Sequence, residues 1–255
     1  MDELLAVRAP AQREVDGPAL RLPSTGPDEI PVGTALAAVL GYARGRRPLL
    51  FRPPNEREGR WVQVPAYGWS RFDARPVPTR PLGDDDVLVA EGLHGRLGPA
   101  DWTAVRAGLD DVRPLVTELL TRAGDRPLHR LPAEELSVLG EPGTVGAALR
   151  RLQELPGVLP RHVAAALHHR HPALVPLTDR ATRLQLLPHL REGDSGTAAV
   201  VHRELVTNDA GFTALEQAAR AAGAPATRLR LHDVLLWLSA TLRLPHAVAL
   251  GTAPG

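Results

Sequence analysis

The sequence predicts a mostly α-helical protein with an irregular N-terminal segment that holds a short β-hairpin. Three observations carry this. From residue 84 onward, apolar residues recur at helical spacing in about seven to nine segments, with no convincing strand pattern. Before that point the chain is broken by Pro, Gly and charge, with one aromatic and β-branched stretch. The 255 residues are 44% hydrophobic, enough for a sizeable core and too apolar for a disordered chain.

Taken in order, residues 1–30 are rich in Pro, Gly and charge and are expected to be loosely ordered. PVGTALAAVLGYARG (31–45) reads as an amphipathic helix. RRPLLFRPP (46–54) and GRWVQVPAYGW (59–69) set β formers between turn formers, the pattern of a hairpin. RPVPTRPLG (75–83) reads as a linker, so the expected division is an N-terminal segment at 1–80 and a helical domain at 81–255. DDDVLVAEGLHGRL (84–97) opens with three acids, which suit the positive end of a helix dipole. Residues 98–124 hold one or two helices, 132–140 a short one ended by Gly, and 143–155 another. Further helices are expected at 197–206, 211–223 and 227–244, the last being the most apolar and a core element.

Composition excludes several chemistries. With no cysteine there are no disulfides, thiolate metal sites, cysteine nucleophiles or cysteine-bound iron–sulfur clusters. All 30 basic residues are Arg, so no lysine side chain can form a Schiff base. No apolar run approaches the roughly 20 residues that span a membrane. The first residues lack the basic start and apolar core of a signal peptide, and a cytoplasmic protein is expected. The net charge of +1 hides an asymmetry. Residues 81–140 carry 11 acids and 6 Arg, whereas residues 144–191 carry 7 Arg, 2 acids and five of the ten histidines. A polyanion would meet the second stretch; equally, the two halves would face each other.

Inside the basic stretch lies LPGVLPRHVAAALHHRHPALVPLTDRATRL (155–184). It reads as a helix end, a Pro-Gly turn, a second helix from Pro160, then a lone Asp179 before a third helix. The layout resembles that of the helix–hairpin–helix DNA glycosylase superfamily, and the 22 positions from Gly157 to Asp179 match that superfamily's spacing from hairpin glycine to catalytic aspartate. Together with DDDVLVAEGL and LHDVLLWL, the chain also looks like DUF6308, an actinobacterial family of unknown function that shares the motif.

The resemblance implies a helix–hairpin–helix glycosylase-like bundle. It implies a DNA repair enzyme, a hydrolase that cleaves the N-glycosidic bond of a damaged or modified base, with duplex DNA as partner; the iron–sulfur cluster of some relatives is excluded by the lack of cysteine, and no cofactor is expected. Asp179 is then the catalytic residue, as general base or as stabiliser of an oxocarbenium-like sugar. Gly157, Val158, Arg161, His162, Arg150, Arg151, Arg170 and Arg183 are candidate DNA contacts, and Trp69, Trp102 and Tyr67 are candidates to stack on a base. Leu159 stands where the superfamily has its second hairpin glycine, and Pro160 removes one N–H that would reach a phosphate. Arg161 occupies the place of the Schiff-base lysine of bifunctional relatives, so any glycosylase here is monofunctional.

Plainer readings stand beside these. Asp is among the best helix N-caps, and Arg183, four residues on, is placed for an i,i+4 ion pair with Asp179. The Arg side chains, and His162, His168, His169 and His171, also suit a solvated helix face; no carboxylate stands among the histidines before Asp179, and no metal is expected. Asp84, Asp85 and Asp86 fit a solvated helix N-terminus, and Trp237 fits core packing. The alternatives to a DNA glycosylase are a non-catalytic module that binds nucleic acid or a protein partner, and an enzyme acting on a small N-glycoside.

Overall fold

The computed structural model describes residues 18–55, 57–154 and 160–253. Among these residues the chain is mostly α, as expected, with ten helices and two two-stranded antiparallel sheets. The first sheet is minimal: β1 (Ala19–Leu20) pairs with β2 (Ile30–Pro31). The expected hairpin is present as β3 (Arg46–Phe51) and β4 (Arg60–Pro65), in register Leu50 to Trp61.

The helices follow in order: α1 (Val32–Arg44), α2 (Asp84–His94), α3 (Pro99–Ala123), α4 (Val145–Gln153), α5 (Pro160–Arg170), α6 (Arg180–Leu186), α7 (Thr197–Thr207), α8 (Asp209–Ala221), α9 (Arg228–Ala240) and α10 (Leu244–Thr252). Residues 132–140 form two 3₁₀ turns, Ala133–Leu136 and Val138–Gly140, in place of the expected short helix. A nine-residue stretch that starts at a Pro and is interrupted by Ser137, whose side chain accepts from Leu139 N, does not hold a longer helix. The expected helix at 227–244 ends at Ala240, and Leu242 adopts a left-handed φ of 57°. Pro245 then suits the first turn of α10, which leaves at 117° to α9.

α9 is the spine of the core. Ten of its thirteen residues are buried, including Arg230, His232 and Asp233, and α6, α7, α8 and α10 all pack on it. α2 packs on α5, and α3 on α4 and α5. α1 lies along α10, where Gly41 faces the Ala247 carbonyl so closely that a Cβ would sit 1.8 Å from it.

The N-terminal part is built into this core. Leu20, Leu22, Ala38, Val39 and Tyr42 belong to the same buried cluster as Leu205, Phe212 and Leu235, so the core runs across the boundary expected at residue 80. The described part of the segment expected to be loose is pinned instead. Ser24 donates from its N–H and its hydroxyl to the buried Glu204 (2.8 and 2.7 Å), and Asn208 takes the N–H and C=O of Arg21 (2.6 and 2.9 Å). Both partners lie on or just after α7, about 180 residues away, where local sequence pattern gives no sign of them.

Among the described residues, no single helix is long and apolar enough to cross a membrane.

Candidate active site

The segment Val175–Asp179 links α5 to α6 outside any helix or strand, and two buried side chains hold it. His168 on α5 donates Nδ1–H to the Val175 carbonyl (2.7 Å), and Leu177 N–H donates to Asp233 Oδ2 on α9 (2.9 Å). Asp179 is thereby delivered to the N-cap of α6 with extended backbone angles (φ −103°, ψ −174°). Its Oδ1 accepts from Thr182 N–H (2.9 Å), and Thr182 Oγ1 accepts from Asp179 N–H (2.8 Å), a reciprocal capping box. Asp179 Oδ2 makes no hydrogen bond, and the side chain is in no ion pair, among the described residues. The i,i+4 relation with Arg183 is the backbone helix bond alone, Arg183 N–H to Asp179 O at 2.9 Å.

Asp179, Thr178 and His94 form the partition between two concavities. On one side is a cavity of about 210 Å³, walled by Tyr42, Tyr67, Trp237, Arg230, Arg243 and Asp233. Tyr42 and Tyr67 stack at 5.3 Å, and Trp237 stands edge-on to both. The Arg243 guanidinium lies 5.2 Å over the Trp237 ring. Buried Arg230 is fixed by an ion pair with Asp73 and by donation to Tyr42 Oη (2.9 Å). On the other side is a groove of about 900 Å³ between α4, α5 and α6. Apart from Asp179, its charged lining is Arg161, Arg180 and Arg183, none of which forms an ion pair among the described residues.

Among the described residues, two buried polar atoms of cavity-lining residues lack a partner, Tyr67 Oη and His94 Nε2, whereas Asp233 Oδ1 faces His232 Nδ1 at 3.7 Å. Unsatisfied buried polar atoms are rare and costly in a finished core, so a pair of them along one cavity marks groups available to a ligand. Burial, with His162 and Arg161 nearby, pushes the His94 pKa down to about 4, so its imidazole is neutral at pH 7.

The expected DNA contacts separate into groups. Arg161 and Arg183 line the groove, and Arg180, not among the expected contacts, lines it with them. Arg150 and Arg151 leave the opposite side of α4, pair with Glu141 (2.9 Å) and Glu118 (3.0 Å), and border a separate surface hollow. Arg170 is not free for phosphate: it makes a two-point ion pair with Asp86, a residue only 1% exposed, and so ties α5 to α2. This also corrects the solvated reading of Asp86. His162 is buried against His94 (ring centroids 5.2 Å apart), with Nε2 3.4 Å from the Gly95 carbonyl, and is out of reach of a phosphate. His168 and His169 are likewise buried and bonded to backbone carbonyls, which overturns the solvated-face expectation for them. Gly157 and Val158, with Leu159 of the expected turn, lie outside the described residues.

Of the aromatic candidates, Tyr67 lies on the cavity wall. Trp69 packs edge-on to Tyr42 at 6.2 Å without lining the cavity, and Trp102 packs against the core from α3. Trp237, expected in the core, is half-buried and forms a cavity wall. Tyr42, His94, Arg230 and Asp233 come to the site from three helices; only contacts far apart in sequence reveal them. Among the described residues no three His, Asp or Glu side chains converge as a metal ligand set.

A model of a family of unknown function, DUF6308, matches residues 56–240, which contain α2 to α9, Asp179 and most of the cavity wall. No curated protein and no solved structure matches the chain.

Proposed function

As the chain belongs to the DUF6308 family of unknown function, we propose that it is a DNA-binding, monofunctional glycosylase-like enzyme that hydrolyses the N-glycosidic bond of a damaged or modified base. The observation that carries this reading is the place of Asp179. One carboxylate oxygen is locked in the helix cap, while the other is free on the partition between an aromatic cavity and an Arg-lined groove.

In this reading a duplex lies along the groove and one nucleotide turns out of the stack into the cavity. Tyr67 and Trp237 offer faces to the base, and Tyr67 Oη and His94 Nε2 offer polar contacts to its edge. The C1′–N bond breaks with its electron pair leaving on the base. The Asp179 carboxylate stabilises the positive charge that develops on the sugar, then accepts the proton of the water that attacks C1′; that proton passes to the nitrogen of the departed base, which restores the carboxylate. The products are a free base and an abasic site. With no lysine in the chain, no lysine Schiff base follows. Arg161, Arg180 and Arg183 serve as backbone contacts.

The test is binding to a labelled duplex across a salt series, paired with chromatography of bases released from alkylated, uracil-containing and 8-oxoguanine-containing duplexes, for the parent chain and Asp179→Asn. Both proteins should bind, with affinity falling as salt rises. The parent should release a free base from one of the three and leave an uncut abasic strand, and the variant should release it about a hundredfold or more slower. Absence of binding at low salt by both proteins contradicts the reading. Because Asp179 is also a helix cap, binding without base release would favour a non-catalytic DNA-binding module.

A further inference from the structure

The β3–β4 ribbon is an anomaly in this fold. Every residue of β3 is exposed and β4 is no better than half-buried, so neither face of the ribbon is covered as a sheet in a core would be. An isolated two-stranded ribbon is marginal in water without a packing partner. Even so, it displays Trp61 at 71% exposure and Leu50, its cross-strand neighbour, at 53%, with Leu49 and Phe51 also exposed. Exposed apolar residues gathered in this way mark an interaction surface.

Its charge says what the surface fits. Residues 46–60 hold five Arg (46, 47, 52, 57 and 60) against two Glu. Among the described residues none of these Arg is in an ion pair; Arg46 donates to the Gln63 carbonyl within the ribbon, and Arg60 lies over the Phe51 ring. The register sets Arg46, Leu50 and Trp61 on one face and Arg47, Phe51 and Arg60 on the other. Both faces therefore carry cations beside apolar groups.

The ribbon is also rooted at the cavity. Tyr42 lies three residues before Gly45, and Ala66, Tyr67 and Gly68 follow β4 directly; all but Gly45 line the cavity, and Ala66 N–H donates to Gly45 O (2.7 Å) to close the base of the ribbon. Six residues per strand at about 3.4 Å each make an arm of roughly 20 Å.

We propose that the β3–β4 ribbon is a duplex-DNA-binding arm, with Arg47 and Arg60 on one face and Arg46 on the other contacting the phosphates that flank a groove, and Trp61 with Leu50 packing on base edges. The major groove of a duplex admits a two-stranded ribbon, and the cations of this ribbon, on both of its faces, suit the phosphates that border such a groove. The surface is assigned independently of any chemistry at Asp179, although a duplex held by the arm would lie beside the cavity mouth.

The experiment uses the full chain, a labelled duplex and its single strand, with the paired substitution Arg47→Gln/Arg60→Gln and, separately, Trp61→Ser. All three side chains are exposed, so both variants should keep the parent's unfolding temperature. The arginine pair should lose several-fold in duplex affinity and flatten the salt dependence by about two, one for each phosphate contact removed. Trp61→Ser should bind the duplex about tenfold more weakly with the salt dependence unchanged. Parent-like duplex binding by both variants overturns the arm, as does a parent chain that binds the single strand and ignores the duplex. Base release by Asp179→Asn separates the two proposals. If that variant releases base like the parent while the ribbon variants lose binding, the glycosylase reading falls and the arm stands; Asp179-dependent release with ribbon variants that bind normally gives the reverse.

Discussion

Asp179 and Thr182 hold each other at the start of α6: Asp179 Oδ1 accepts the Thr182 N–H at 2.9 Å, and Thr182 Oγ1 accepts the Asp179 N–H at 2.8 Å. The carboxylate is thus oriented by its own helix, with one oxygen spent and one left to the cleft. Because Asn caps a helix as well as Asp does, Asp179→Asn should unfold within about 0.5 kcal/mol of the parent, whereas Asp179→Ala should lose about 1 kcal/mol. Urea denaturation of the two variants checks this. Base release should fall in both, so stability and chemistry separate at one position.

Thr182→Val keeps the side-chain volume and removes the hydroxyl that accepts from Asp179 N–H. The expected result is a stability loss of about 1 kcal/mol and base release slower by about tenfold, since the carboxylate is no longer held in one place. Duplex affinity should not change, which distinguishes loss of positioning from loss of the binding surface.

The pairing of Asp86 with Arg170 gives a different prediction. Asp86 is 1% exposed, accepts from Gly83 N–H at the start of α2, and takes two hydrogen bonds from Arg170 on α5. Asp86→Asn leaves the guanidinium half of a buried pair without its counter-charge, and should cost about 3–5 kcal/mol by urea denaturation. A cost below about 1 kcal/mol would mean that Arg170 is free to serve elsewhere.

Stability should be limited on both sides of neutrality. His232 sits between Glu204 (2.7 Å) and Asp233 (3.7 Å); although burial works against the charge, these two carboxylates raise its pKa to about 9. A raised pKa stabilises the fold fully below the ordinary value of about 6.5 and is lost as pH rises through about 9. His94 and His129 are driven the other way, to about 4, mainly by burial. Their contribution is present above about 6.5 and is lost as pH falls toward 4. Denaturation midpoints measured across this range should peak near neutrality. His232→Gln should flatten the alkaline limb; the acid limb should survive it, because several buried histidines share that limb.

How much of this was legible in sequence depends on distance along the chain. Helix α1, the ribbon β3–β4 and helices α2, α4, α7 and α8 follow from periodicity and local turn formers, which act over a few residues. The place of Asp179 at a helix N-terminus was legible for a similar reason, as a lone carboxylate before a helix in an Arg-rich stretch. Arg170 was misread because its partner lies 84 residues earlier, and His162, His168 and His169 because α5 is buried on nearly every side despite its polar sequence. The cavity was illegible as a unit, since Tyr42, Tyr67, His94, Asp233 and Trp237 share no local pattern; only the packing of α1, α2 and α9 brings them together. The tie of Ser24 to Glu204 was hidden in the same way.

In the proposed chemistry the free oxygen of Asp179 meets a cationic sugar at the partition between cavity and groove. The most direct measurement compares affinity for two duplexes, one with a neutral tetrahydrofuran abasic site and one with a pyrrolidine ring whose protonated nitrogen imitates the oxocarbenium charge. The parent chain should bind the pyrrolidine duplex at least tenfold more tightly, and Asp179→Asn should bind both alike. Equal affinity of the parent for the two duplexes would contradict the proposed role of Asp179.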